Sequence, residues 1–215
     1  MARPLRCVFV VMALLSAPAS AVPVMLSLEP AITSGVEAGD IVSLNLYARS
    51  SPPGQGILAV QAFISFDPAH LSVVDAMGDP VSAVALGPGW FQFANDVGPV
   101  PGKNLLAGEI FLSAGSFSGL FTDTLVASFS VKALDSFEVT SLSLPGQAVS
   151  RPPYVYQNRV SDLGNLDITG SLEGAILYGT GTEVIPEPLT MVVLGLGLGL
   201  LAHRRRVRLA SRDSG

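Results

Sequence analysis

The chain has 215 residues, with 12 basic and 17 acidic side chains and a formal net charge of −5 at pH 7. Its charge is uneven, because the segment from Val22 to Pro188 holds five basic against sixteen acidic residues, a net charge of −11. Phosphate and anionic lipid surfaces are bound through clustered lysine and arginine, so neither nucleic acid nor an anionic membrane surface is an expected partner of this segment.

The N-terminal residues have the three parts of a secretory signal peptide. Arg3 and Arg6 form a basic region, Cys7–Leu15 is apolar, and Ala19-Ser20-Ala21 is a small-residue cleavage site. We therefore expect residues 1–21 to be removed on export through the inner membrane. Since Cys7 is the only cysteine, the mature chain would have none, which excludes disulfides, thiolate metal sites and a cysteine nucleophile.

Residues 22–182 are predicted to form one all-β domain of about 160 residues, enough for a single core. In Ile41–Tyr47 apolar and polar side chains alternate, and the same period of two runs from Leu58 to Phe66. Further predicted strands, separated by Gly, Pro, Asp and Asn clusters, are Val24–Leu28, Leu71–Val74, Val81–Leu86, Trp90–Ala94, Leu105–Ser113, Leu125–Ala133, Phe137–Leu144 and Leu172–Tyr178. Short strands at this spacing favour a β-sandwich.

The segment Gly56–Val74 resembles a cohesin module. Its long alternating strand ends in Phe66-Asp67-Pro68, and a leucine, Leu71, follows two residues after Ala69. The later segments Gly108–Leu112 and Leu125–Lys132 are similar to the paired strands of that family. The resemblance implies a jelly-roll sandwich of about nine strands that binds by a sheet face or by loops. Independently of it, Asp67 before Pro68 favours a tight turn with Phe66 and Leu71 in the core.

Residue types for catalysis are sparse in the domain. His70 is its only histidine and falls in a turn, where an imidazole is usually solvated or locally bonded. Asp162, Asn165 and Asp167 are oxygen-rich but lack the ligand spacing of a calcium loop, which favours a solvated turn. We predict no catalytic residue, no metal and no cofactor. A small secreted carbohydrate-active hydrolase, with a carboxylate pair that sequence spacing does not reveal, is the alternative.

Two aromatic groups are candidates for carbohydrate contact. Tyr154 and Tyr156 share one face of an extended segment beside a proline pair, which suits a stacking platform for sugar rings. Trp90 is the second candidate, with Gln92 predicted outward and Phe91 and Phe93 inward. The alternative for both groups is structural, with the tyrosines on an edge strand and the indole capping the core.

Residues 183–215 have the composition of a sorting tail. Pro186-Glu187-Pro188 is followed by fourteen uncharged residues, Leu189–Ala202, and then by Arg204, Arg205 and Arg206. A helix of that length spans about 21 Å, short of the roughly 30 Å bilayer core, while the arginines favour a cytoplasmic C-terminus. The proline-flanked motif is expected to be extended and open to a protease. An ordinary short tail anchor is the alternative.

The order and spacing of this tail resemble the PEP-CTERM signal. That resemblance implies recognition and cleavage by an exosortase, a membrane-embedded cysteine transpeptidase, after transient retention in the inner membrane. The sequence therefore predicts an exported protein of the cell surface or extracellular matrix, whose non-catalytic domain binds a surface protein or an exopolysaccharide.

Overall fold

The computed structural model describes residues 23–50, 56–121 and 123–180 and is an all-β sandwich. Fifteen strands form two large sheets and one small hairpin, and a 3-10 turn at Pro101–Lys103 lies between the seventh and eighth strands. The strands are β1 Val24–Glu29, β2 Ile32–Val36, β3 Ile41–Ser50, β4 Ile57–Phe66, β5 Leu71–Val74, β6 Ala85–Leu86, β7 Phe91–Val97, β8 Glu109–Leu120, β9 Thr124–Ala133, β10 Val139–Ser143, β11 Val149–Arg151, β12 Tyr154–Tyr156, β13 Arg159–Asp162, β14 Thr169–Glu173 and β15 Ala175–Gly179.

The first sheet has the strand order β14-β1-β3-β9-β5, and β6 also pairs with β9. Its centre is antiparallel, with Leu44 opposite Phe129, while β14 lies parallel to β1. The second sheet has the order β2-β15-β10-β4-β8-β7, and β13 also pairs with β4. Here β4 and β8 are antiparallel, with Phe63 opposite Phe111. Strands β11 and β12 form a separate hairpin.

The main core lies between the inner faces of the two sheets. In β4 it takes every second residue, Val60, Ala62 and Ile64, and β8 contributes Ile110 and Leu112 in the same alternation. Burying a valine, leucine or isoleucine side chain contributes roughly 1.5–3 kcal/mol relative to leaving it exposed. The predicted period of two therefore positions these strands correctly, and the prediction of an all-β sandwich is confirmed.

The turn after β4 forms as the Asp-Pro motif predicts. The Asp67 carboxylate accepts the backbone N–H of Ala69 at 2.9 Å, and the Asp67 carbonyl accepts that of Leu71 at 3.0 Å. Leu71 is buried, and Phe66 is half-buried and packs against the main core. The turn thus passes the chain from the second sheet to the first.

The strand count exceeds the predicted nine because several strands are short edge pieces. Strands β2, β11, β12 and β13 were not predicted, and the predicted strand Val81–Leu86 is reduced to Ala85–Leu86. These strands have only three to five residues, too few for a period of two to be recognised in the sequence. The fold itself is unchanged by these additions, since they extend the two sheets or cover an outer face.

The two ends of the described chain lie at opposite ends of the sandwich. Val24 pairs with Ser50, at the end of the sandwich where β8 ends and β9 begins. At the other end, Thr180 donates its N–H to the Val36 carbonyl. Among the described residues no helix is long and apolar enough to cross a membrane. The predicted signal peptide and the predicted sorting tail, with Pro186, Glu187, Pro188 and Arg204–Arg206, lie outside the described residues.

Candidate functional site

Trp90 belongs to the core. Its side chain is buried, it packs in the main hydrophobic cluster, and its Nε1–H donates to the Leu125 carbonyl at 2.9 Å. An indole placed in this way has no free ring face for a ligand. The prediction of sugar contact at Trp90 therefore disagrees with the structure, and the structural alternative, an indole at the core, fits it.

Tyr156 is also buried, with 2% of its surface exposed. Its ring stacks on Phe63 at a centroid distance of 5.5 Å and meets Phe111 edge-on at 5.0 Å. The hydroxyl donates to the Lys103 carbonyl, and burial raises the pKa of this hydroxyl. Tyr156 thus anchors hairpin β11–β12 to the outer face of the second sheet, which contradicts its predicted role as an accessible stacking ring.

Tyr154 lies on the same face of the hairpin, as the sequence predicts. The two tyrosine rings are nearly parallel, 18° apart, with centroids separated by 6.3 Å. Tyr154 is only half-buried, whereas its neighbour fills the small second core. Sugar contact at Tyr154 alone stays a prediction.

An ion pair holds this hairpin in place. Both terminal nitrogens of Arg151 donate to the carboxylate of Glu109, whose pairing raises the pKa of Arg151. Arg151 also donates to the Asn104 carbonyl at 3.0 Å, and Asn104 Nδ2 donates to the Pro152 carbonyl at 3.0 Å. Glu109 further accepts the N–H of Leu106 at 2.7 Å. The hairpin and the loop before β8 are therefore fixed to each other.

The exposed aromatic surface lies elsewhere on the second sheet. Phe91 stacks on Phe117 with centroids 4.3 Å apart and meets Phe93 edge-on at 4.8 Å. Phe117 is 90% exposed and Phe93 66% exposed. We call these three side chains the phenylalanine patch. The prediction that Phe91 and Phe93 point inward is wrong.

A glycine makes room for the patch. A Cβ atom at Gly115 would lie 2.8 Å from Phe91 Cζ and 2.8 Å from Phe93 Cε2, so both rings lie over the bare backbone of β8. Phe91 is also the cross-strand partner of Gly115. On β8 the residues Ile110, Leu112 and Ala114 are buried in the core, so the alternate residues Phe111, Ser113, Gly115 and Phe117 belong to the outer face. This alternation is the sequence signal that could have placed Phe117 outside.

Polar uncharged side chains border the patch on the same sheet face. Gln61 and Ser113 are cross-strand partners and form the next pair on this face after Ala59 and Gly115, two residues along each strand. Gln61 Oε1 accepts a hydrogen bond from Gln157 Nε2 at 2.9 Å. An amide pair of this kind still has unused donors and acceptors, because each amide group can make about four hydrogen bonds.

His70 lies at the Thr180 end of the same sheet face. Its Nδ1 is 2.8 Å from Asp135 Oδ1, and this contact raises the pKa of the imidazole. Together with Ser65 and Ser143, whose hydroxyls are 2.8 Å apart, His70 lines a shallow polar groove.

The oxygen-rich segment after β13 forms a hydrogen-bonded turn. Asp162 Oδ1 accepts the N–H groups of Gly164 at 2.8 Å and Leu166 at 2.9 Å. Asp167 accepts the N–H of Thr169 at 3.0 Å. These carboxylates accept hydrogen bonds from the backbone of the turn, which agrees with the predicted turn at Asp162–Asp167 and not with a calcium loop. In residues 23–50, 56–121 and 123–180, no group of three or more His, Cys, Asp or Glu is placed to hold a metal ion.

Solved cohesin structures are similar to this sandwich. A type II cohesin domain from the cellulosome of Acetivibrio cellulolyticus matches with a TM-score of 0.53 and 17% identity, over 73% of this chain and 95% of that domain. The cohesin module of a family 33 glycoside hydrolase from Clostridium perfringens matches with a TM-score of 0.52 and 9% identity, over 73% of this chain and 96% of the module. No protein-family model matches the chain, and no curated protein matches it in sequence. The described domain therefore has a cohesin-like fold.

Proposed function

We propose that this chain is an exported protein of the cell surface or extracellular matrix, whose cohesin-like sandwich is a non-catalytic binding and adhesion module for a protein or a polysaccharide. The observation that carries the proposal is the phenylalanine patch, an exposed cluster of three aromatic rings in mutual contact on the outer face of the second sheet. Exposed apolar clusters on a rigid surface are characteristic of interaction sites. The cohesin-like fold supports a binding role, although at these identities it carries no partner with it.

Delivery to the surface is the second part of the proposal. The signal peptide of residues 1–21 would direct export, and the tail of residues 183–215 would hold the domain at the inner membrane until an exosortase cuts near Pro186-Glu187-Pro188. Since Thr180 lies at the opposite end of the sandwich from Val24, a tail anchor would keep the Val24 end away from the bilayer.

The hydrolase alternative has one observation in its favour. His70 is paired with Asp135 beside a groove that contains Ser65 and Ser143. A serine nucleophile needs its base within hydrogen-bond reach, about 2.6–3.2 Å, although apo geometry is often looser. The pair is also explained by its place in an exposed turn, where it joins the β4–β5 turn to the segment after β9.

One experiment separates the two functions. The purified full-length chain is incubated with a panel of glycans and peptides, and both turnover and retention are measured. The proposal predicts retention without turnover. Turnover that disappears in His70→Gln and Asp135→Asn, while the protein remains folded, would establish the hydrolase instead.

A further inference from the structure

We propose that the phenylalanine patch binds a neutral polysaccharide, by stacking sugar rings on Phe117 and Phe93. This inference rests on the proposed binding function and names the ligand class and the residues.

The rings form a platform rather than a pocket. Phe91 and Phe117 are inclined by only 24° and stack at 4.3 Å, so Phe91 supports Phe117 from one side. The opposite side of Phe117 is free, since 90% of the residue is exposed. An aromatic face carries partial negative charge and attracts the C–H bonds that line one face of a pyranose ring.

The neighbouring side chains suit a ligand that is rich in hydroxyls. Ser113 and the Gln61–Gln157 amide pair lie on the same outer face as the patch, because their neighbours Val60, Ala62, Leu112 and Ala114 fill the core. The amide groups retain donors and acceptors after pairing with each other. Ser113 is four residues from Phe117 on β8, up to about 13 Å along the strand, so a sugar chain that stacks on Phe117 and runs along β8 would reach these groups with its hydroxyls.

Charge selects a neutral glycan over an acidic one. The patch and its polar border contain no ionisable side chain, whereas the segment Val22–Pro188 has a net charge of −11. Arg159, on β13, is the cross-strand neighbour of Gln61 and so a cation beside the polar border, but its guanidinium lies 3.7 Å from Asp167 and is already paired. An anionic polysaccharide would therefore meet the net negative charge of the body, while the adjacent cation is already neutralised in part by Asp167.

The phenylalanine patch lies toward the end of the sandwich opposite Thr180, where the chain continues to the predicted tail. Gly115 pairs with Ala59 and Phe91, while Thr180 leaves the sandwich beyond Phe66. Seven residues of β4 separate these levels, about 23 Å at 3.3 Å per residue. A chain held by its C-terminal tail would thus present the phenylalanine patch away from the membrane, toward extracellular polymer.

The test is affinity electrophoresis of the full-length chain in native detergent gels that contain hydroxyethylcellulose, galactomannan, dextran, laminarin or alginate. At least one neutral polymer should retard the wild type, and alginate should not. Phe117→Ala should weaken retardation about tenfold, since an aromatic contact of this kind is worth up to about one power of ten in affinity. Phe117→Leu should be equally weak, whereas Phe117→Trp should bind at least as well as wild type.

Met77→Ala is the matched control, because Met77 is 89% exposed and lies outside the patch. It should leave retardation unchanged. Equal retardation of wild type and Phe117→Ala, or full binding by Phe117→Leu, would overturn the stacking proposal while leaving a binding module intact. Failure of all four neutral polymers to retard the wild type would also overturn it. The proposed function would fail separately, if the chain turned over a substrate or bound neither glycan nor protein.

Discussion

Arg151 and Glu109 join two segments that are 42 residues apart in the chain, through a two-pronged ion pair on the outer face of the second sheet. Their side chains are only 22% and 10% exposed. The pair connects the first residues of β8 to hairpin β11–β12, and the hairpin in turn covers Phe63. The small second core therefore depends on this contact.

Glu109→Gln is expected to lower the free energy of unfolding by about 1.5–3 kcal/mol, because hydrogen bonds to charged groups contribute in that range and Arg151 would lose its counter-charge. Urea denaturation monitored by circular dichroism measures the change. Arg159→Ala is the control, since the Arg159–Asp167 pair is exposed and 3.7 Å apart, and it should cost less than about 1 kcal/mol. Equal losses in the two variants would refute a structural role for the Arg151 pair.

Tyr156→Phe should destabilise the protein by about 0.5–1.5 kcal/mol, because it removes the hydrogen bond from the tyrosine hydroxyl to the Lys103 carbonyl. Tyr154→Phe should have little effect on the thermal midpoint, since its ring is half-exposed. Neither variant should alter binding at the phenylalanine patch. An unchanged midpoint in Tyr156→Phe would contradict the hydrogen bond from its hydroxyl. Because Phe keeps the aromatic ring, stacking is tested by Tyr154→Ala instead, where a loss of glycan retention with an unchanged midpoint would support sugar contact at Tyr154.

The sequence predicts the central strands well because both of their faces are decided by burial. In β4, Val60, Ala62 and Ile64 alternate with side chains on the outer face, and a period of two is visible without any structure. The Asp67-Pro68 turn is equally local, since the carboxylate bonds to a backbone group two residues away. These features gave the all-β class and the cohesin-like resemblance.

The phenylalanine patch was not predicted, because the face on which its residues lie depends on tertiary contacts. Phe91 and Phe93 share one face, as alternation predicts, but it is the outer face, where Gly115 of the neighbouring strand leaves room for both rings. Tyr156 has the composition of a sugar platform, yet it is buried by contact with Phe63, 93 residues earlier in the chain. An aromatic side chain suits either place, and only the packing of the hairpin on the sheet decides between them.

His70 should confer a stability that depends on pH. Its contact with Asp135 raises the folded-state pKa above the ordinary value of about 6.5, so the contribution is fully present below that value and is lost as pH rises through the folded pKa. The melting temperature of wild type relative to His70→Gln should therefore be higher at pH 5.5 than at pH 8.5. A difference that is constant with pH, or that grows as pH rises, would exclude the pairing in solution.

Glu187→Ala should leave the protein uncleaved and retained at the inner membrane, because Glu187 is the only charged side chain within the proline-flanked motif. Glu183→Ala, four residues earlier, is the control and should be processed normally. Mass spectrometry of the C-terminal peptides in surface and membrane fractions reads the outcome. Surface protein from the unmodified chain that still extends through Arg208 would contradict processing at this site.

Hydroxyl-radical footprinting of the full-length chain, with and without extracellular surface material from the producing cells, tests whether the phenylalanine patch is the contact surface. Added material should lower oxidation of Phe93 and Phe117, while Met77, which is 89% exposed, should be oxidised as before. Unchanged oxidation of both phenylalanines, together with protection of the His70 groove or of the outer face of the first sheet, would contradict the claim that this module binds through the phenylalanine patch.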